Sequence, residues 1–331
     1  MTERINYKFV SLGLLALLLV LLILHVHGGR FTLDPSSLWK SIFNFSDDDQ
    51  QLIIFRELRI PRSFMALVAG IGLSIAGLLM QTLFNNPLAG PSVLGITSGS
   101  SLFVAITMLS GIPFFTSDLG IVSTALIGAV VFSLIILFFS LFVKSQISLL
   151  LIGMMLGSFT SAIIQILQTT THANQLKAFT LWGFGSLQQV SFDQIPLILT
   201  VLLIGIISLV YLIKPLNLLV IGERPTRLLG VRIGAFRILI IAVTAIFAGL
   251  ITAYCGPISF IGLAVPNIVR MLYKTQDHLQ LIIGCALAGA CTLLICDLLV
   301  LWFEPYFLLP LNGVTALFGS PIVVWIILKK F

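Results

Sequence analysis

Charge is scarce in this chain. Only 9% of its 331 residues are Asp, Glu, Lys or Arg, against about 25% in soluble domains. That deficit excludes a water-soluble globule of this size. It leaves no basic patch for nucleic acid either, although the formal charge is +6. Cysteine is equally thin. Cys255, Cys285, Cys291 and Cys296 lie in or beside apolar stretches and form no Cys-x-x-Cys pair, so no disulfide framework is expected. They read as small apolar packing residues. Of four histidines, His25 and His27 end an apolar run and read either as a metal pair or as rings at a membrane interface. His172 and His278 fall in predicted loops with no ligand nearby in sequence. There is no His-Glu-x-x-His and no Gly-x-x-x-x-Gly-Lys-Ser/Thr phosphate loop, so neither a metal site nor ATP binding by that device is expected. No catalytic Ser, Asp pair or cluster stands out. Acids inside apolar runs are nearly missing as well, with Asp297 the exception. Ion-coupled carriers use intramembrane charge, so its scarcity points to energy supplied by a partner.

What the chain has is apolar sequence, 58% of residues, with mean hydropathy +1.14. A helix crosses a bilayer in about 20 residues. Ten candidate spans result, roughly 9–27, 62–84, 92–112, 119–143, 147–170, 194–214, 235–255, 258–273, 279–303 and 312–328. The expectation is an all-α, polytopic transmembrane protein, residues 1–331 forming one membrane domain with no soluble domain. The first run is long for a signal core, and His25-Val26-His27 is a poor cleavage site, so it reads as a retained span. The eighth span is short and interrupted by Pro266.

Cations set the orientation. With the N-terminus inside, the inner segments hold Arg4, Lys8, Lys144, Lys214, Arg224, Arg227, Arg232, Arg237, Arg270, Lys274, Lys329 and Lys330. The outer segments hold only Arg30, Lys40, Arg56, Arg59, Arg62 and Lys177, together with most acids, including Asp47, Asp48 and Asp49. Both termini are therefore expected in the cytoplasm. Small residues four apart (Ala66, Gly70 and Ser74; Gly153, Gly157 and Ser161) let helices approach closely, either within the chain or at a subunit interface. A weak echo links Arg59-Ile60 and the following Asn86-Pro87 break with Arg232-Ile233 and the following Gly256-Pro257 break, in opposite directions, as in an inverted repeat.

Three segments carry functional signal. The stretch of about 215–232 is too polar for a span and too apolar for a plain loop. Gly222 and Gly230 bracket a short helix with Leu228 and Leu229 exposed, which reads as a docking element or as a positive-inside loop. Pro87 and Pro91 stop the helix near Asn85-Asn86-Pro87-Leu88-Ala89-Gly90, making a tight turn at a pathway or a buried turn. Gly256 to Arg270 mixes Gly262, Pro266 and Asn267 into an apolar run, like the broken helices of transport pathways.

The order of Leu58-Arg59-Ile60-Pro61-Arg62, Asn86-Pro87-Leu88-Ala89, Leu94-Gly95, Leu229-Gly230, Gly262-Leu263 with Pro266 and Arg270, and Cys296-Asp297 resembles the permeases of iron-chelate and cobalamin ABC importers along nearly the whole chain. The resemblance implies a type II ABC importer permease with ten spans, in the plasma (inner) membrane. It implies a homodimer or a pairing with a paralogous permease, two ABC ATPase subunits holding ATP and Mg, and a periplasmic or lipid-anchored solute-binding protein. No cofactor is expected on this chain.

By the same resemblance, Gly222, Glu223, Arg227, Leu228, Leu229 and Gly230 correspond to the coupling helix that seats in the ATPase. Arg59 and Arg62 correspond to outer arginines that meet the binding protein, or else snorkel to headgroups. Asn86, Pro87 and Leu88 correspond to the cytoplasmic gate, and Gly262, Pro266 and Asn267 to the pathway. Two departures stand out. Asn267 replaces a frequent histidine, which removes a proton role, and no arginine follows Asp297, which puts more docking weight on Arg59 and Arg62. The expected cargo is a ferric siderophore, with haem or cobalamin as alternatives. An ion-coupled secondary carrier is the rival from another class.

Overall fold

Out of water, a backbone must satisfy its polar groups internally, and an unbroken helix does so within one segment. The computed structural model describes residues 7–28, 40, 49–110, 118–143 and 145–330, and its described residues form helices joined by short turns. Arg4, Arg30, Asp47, Asp48 and Lys144 of the charge count lie outside them. In chain order the helices are α1 Tyr7–His27, α2 Gln50–Leu83, α3 Ile96–Leu109, α4 Asp118–Phe142, α5 Gln146–Thr170, α6 Ala173–Gly183, α7 Ile195–Leu219, α8 Glu223–Leu228, α9 Ile233–Cys255, α10 Ile261–Tyr273, α11 His278–Phe303 and α12 Leu311–Lys330. Seven are long and apolar enough to cross a membrane, and α3, α10 and α12 supply three shorter apolar helices. The ten expected spans are all present as helices.

Two helices depart from the sequence reading. α2 begins at Gln50 rather than near 62 and passes through a π-helical stretch, Ile54–Arg59. Its first turns carry Gln50, Gln51, Arg56 and Glu57, too polar to read as part of a span. At about 1.5 Å per residue its 34 residues reach about 51 Å, well beyond a hydrocarbon core of about 30 Å. α6 was not expected as a helix at all, since its eleven residues include Asn174, Gln175 and Lys177.

α2 is the central post. It packs most extensively against α11, then α9 and α10. Glycine sets these approaches. A β-carbon on Gly70 would collide with the Gly289 backbone of α11, and one on Gly77 with the Gly262 carbonyl of α10. The Ala66–Gly70–Ser74 ladder is thus an internal contact, and the Ser74 hydroxyl also donates to the Cys285 carbonyl of α11 at 2.7 Å. Pro266 lacks the N–H that would bond the Gly262 carbonyl. That carbonyl lies against Gly77, and α10 runs through its proline unbroken. At the other extreme, α1 and α5 are mostly exposed along their apolar length.

Candidate functional site

Helix rise fixes which side chains meet at each end of the bundle. From Leu83 to Arg62, from His278 to Asp297 and from Tyr7 to His25 are all about 27–32 Å along an axis. The three residues meet. Asp297 Oδ2 accepts from Arg62 Nε at 2.7 Å and lies 2.7 Å from His25 Nε2, while Oδ1 accepts from Arg62 Nη2 at 2.9 Å. His25 Nδ1 lies 2.7 Å from the Ser63 hydroxyl. All four residues are buried. Arg62 Nη1 also lies 3.8 Å from Glu304. Arg59 is buried too, close enough to Arg62 and Glu304 to feel both charges. A crevice of about 580 Å³ opens onto this cluster, with Gln188, Gln189, Ser186 and Trp182 on its walls. The Arg62 guanidinium is therefore turned inward onto a carboxylate rather than standing free at a surface. His25 is a buried partner, not an interfacial ring, and no metal-holding group of His, Cys, Asp and Glu occurs among the described residues.

The opposite end carries α8. Gly222 (φ 112°) and Gly230 (φ 87°) take left-handed conformations that let the chain turn sharply into and out of this six-residue helix. Thr226 is its buried anchor. Its hydroxyl lies within bonding reach of the Leu218 carbonyl at 2.9 Å and the Gly222 carbonyl at 2.7 Å. Glu223 pairs with Arg237 of α9 at 3.2 Å and with Arg227 at 3.7 Å. With these residues holding the helix down, Leu228 is left 89% exposed and Leu229 63%, beside exposed Ile221. An apolar knob ringed by Arg224, Arg227 and Glu223 suits a protein socket better than lipid tails.

Between α2 and α3 the chain makes the expected tight turn at this same end. Asn86 Oδ1 accepts from the Leu88 N–H at 2.9 Å, and the Asn86 carbonyl accepts from the Ala89 N–H at 3.1 Å. Leu88 points outward, 41% exposed. Asn267 ties this turn to α10, its Nδ2 lying 2.9 Å from the Pro87 carbonyl and 2.8 Å from the Leu263 carbonyl. Gly262, Pro266 and Asn267 are buried, and Asn267 braces the turn.

A third feature is a shallow groove of about 570 Å³ along α5 and the start of α3, bordered by Ser98, Met154, Met155, Ser158, Ser161 and Gln165. Ser158, Ser161 and Gln165 are exposed on a helix long and apolar enough to cross a membrane. Gly153 closes on the Val93–Leu94 backbone, so the second small-residue ladder packs within the chain at one end and opens outward at Ser161.

The sequence matches the FecCD transport family over residues 17–329. The chain belongs to that family. Among similar proteins, the hemin transport system permease protein HmuU of Yersinia pestis is 34% identical, covering 100% of this chain and 98% of its own. The vitamin B12 import system permease protein BtuC of Salmonella arizonae is 33% identical over 99% of this chain and 96% of its own. Among solved structures, an inward-facing metal-chelate type ABC transporter superposes with a TM-score of 0.83 at 27% identity, covering 98% of this chain and 100% of that one. PsaBC from Streptococcus pneumoniae shares the fold, with a TM-score of 0.56 at 15% identity. This FecCD-family chain is thus an ABC importer permease, a multi-pass membrane subunit.

The fold gathers the family member's sequence-chosen residues into two ends. Arg59 and Arg62 lie at one. The 86–88 turn, the α8 knob and the Gly262–Asn267 brace lie at the other. What sequence reasoning missed are the partners: His25 and Arg62 for Asp297, Ser63 for His25, Thr226 under α8, and the bonds that Asn217 and His278 make. Matching residues by height along their helices would have found the first set.

Proposed function

We propose that this chain passes a bulky iron chelate, a ferric siderophore, inward from a solute-binding protein while ATP is bound and hydrolysed on partner ABC ATPases. The α8 knob carries the reading. Two leucines held out from the bundle on an anchored helix fit a cleft in a soluble partner, which supplies the force this chain has no phosphate loop to generate. The chain itself performs no covalent chemistry and holds no cofactor, ATP and Mg staying with the partner. In this reading α8 and both termini face the cytoplasm of a plasma (inner) membrane, as the cation bias favours. The 86–88 turn is the cytoplasmic gate. Two permease copies, or this chain and a paralogue, face each other so that the polar α5 groove borders a shared pathway.

The Arg62 end, with the projecting start of α2, receives the binding protein. Glu304 lines its crevice, Arg62 shapes it by holding Asp297 and Glu304 in place, and Arg59 lies buried close by. The haemin and B12 relatives, at nearly equal identity, support a large organic chelate and favour haem or cobalamin as the second reading. The test is uptake by the reconstituted permease, ATPase and binding protein. Ferric hydroxamate siderophore, haemin and cobalamin are each supplied on the outside with ATP within. The siderophore should accumulate. Accumulation of haemin or cobalamin alone would replace the substrate, and accumulation of none would overturn the proposal.

A further inference from the structure

A run of buried polar side chains joins the base of α8 to the 86–88 turn, and the reading above assigns it no task. Thr226 of α8 is anchored on the Leu218 carbonyl, next to Asn217 near the end of α7. Asn217 Nδ2 donates to Asp277 Oδ1 at 3.1 Å, which turns its Oδ1 toward α11. There Oδ1 accepts from the His278 backbone N–H and meets His278 Nδ1, both at 2.8 Å. An amide oxygen only accepts, so Nδ1 carries the proton and Nε2 is left to accept. Nε2 lies 2.9 Å from the Thr82 hydroxyl of α2. Arg270 of α10 donates to that hydroxyl at 3.3 Å and to Gln81 Oε1 at 2.8 Å. Gln81 Nε2 donates to the Leu263 carbonyl, which Asn267 shares with the Pro87 carbonyl of the turn.

Four helices thus meet through hydrogen bonds where plain apolar packing would otherwise serve. Thr82 is the joint. Its single proton has two acceptors within reach, His278 Nε2 and the Leu78 carbonyl, also at 2.9 Å. A hydroxyl with two settings lets the Asn217–His278 pair and the Arg270–Gln81 pair move together or part.

We propose that Asn217, His278 and Thr82 are positioning residues that transmit displacement of the α8 segment to the gate turn. The proposal rests on the coupling and gate assignments made above. A shift of α7's end pulls His278 through two bonds to one amide oxygen. His278 acts on the Thr82 hydroxyl at the foot of α2, one turn before the gate begins.

The test uses the complete permease–ATPase–binding-protein complex in lipid, carrying Leu88→Cys as a reporter. The four native cysteines of this chain are buried, and the partner subunits are used in cysteine-free form, so the labelled site is the introduced one. Spin-label mobility at position 88 is read without nucleotide and with ATP plus vanadate, alongside ATPase rate. In the otherwise wild-type complex the label should respond to nucleotide. Thr82→Val, which removes only the hydroxyl at nearly equal volume, should cut that response about fivefold or more at an unchanged ATPase rate. His278→Ala should do the same, and Thr82→Ser should restore the response. A Thr82→Val response equal to wild type would overturn the relay alone. So would Thr82→Ser failing as badly as valine, since packing would then be the cause. No response in the wild-type background would overturn the gate and coupling assignments, and the relay with them.

Discussion

Asp297 is buried and meets the Arg62 guanidinium through two short hydrogen bonds and the His25 ring through a third. Breaking a buried ion pair from one side leaves an uncompensated charge and costs about 3–5 kcal/mol, whereas replacing both partners with apolar residues is often neutral. Asp297→Leu should therefore lower the unfolding midpoint of the detergent-solubilised protein markedly. Arg62→Met combined with Asp297→Leu should recover most of the loss. An additive double variant would mean that the two side chains do not act as a pair. Sequence alone singled out Asp297 and Arg62 but left them apart, because no local rule pairs residues 235 positions distant. His25 read as an interfacial ring because its partners come from α2 and α11. Only the equal heights of the three residues along their helices reveal the meeting.

α8 shows how a six-residue helix, far too short to be stable alone, is made into a handle. Glycine at each end sets the turns, Thr226 and Glu223 hold it to α7 and α9, and the leucines are left for a partner. Leu228→Glu with Leu229→Glu should leave the permease folded, since neither side chain supports the bundle. Loss of such hot-spot contacts costs about 2 kcal/mol or more, so ATPase binding should weaken by at least about 30-fold. Co-purification measures it, and undiminished ATPase retention would count against α8 as the docking element. This element was legible in the sequence, since its glycines and leucines are contiguous. α6 and the first turns of α2 were not, because their polar residues defeat a reading based on hydropathy. α10 was read as broken at Pro266. It runs on unbroken, with the Gly262 carbonyl packed against Gly77.

The whole chain is a post, α2, wrapped by α9, α10 and α11, with α5 left exposed and carrying hydroxyls and an amide along its groove. A polar stripe on an otherwise apolar helix is expensive against lipid. In the proposed dimer it faces the pathway. Ser161→Trp should then block uptake while ATP hydrolysis continues, as read by parallel transport and phosphate-release assays. Normal uptake by this variant would move the pathway elsewhere. The ten apolar helices were readable from the order of apolar runs and their breaks. The pathway was not, because which face of α5 stays uncovered depends on every other helix.

The central claim is that this permease works on borrowed force. Its most direct test is uptake of a ferric siderophore into proteoliposomes that hold the permease and binding protein, with or without the ATPase subunit, under ATP or an imposed ion gradient. Accumulation only when ATPase and ATP are both present is the predicted result. Accumulation driven by the ion gradient without the ATPase would contradict it.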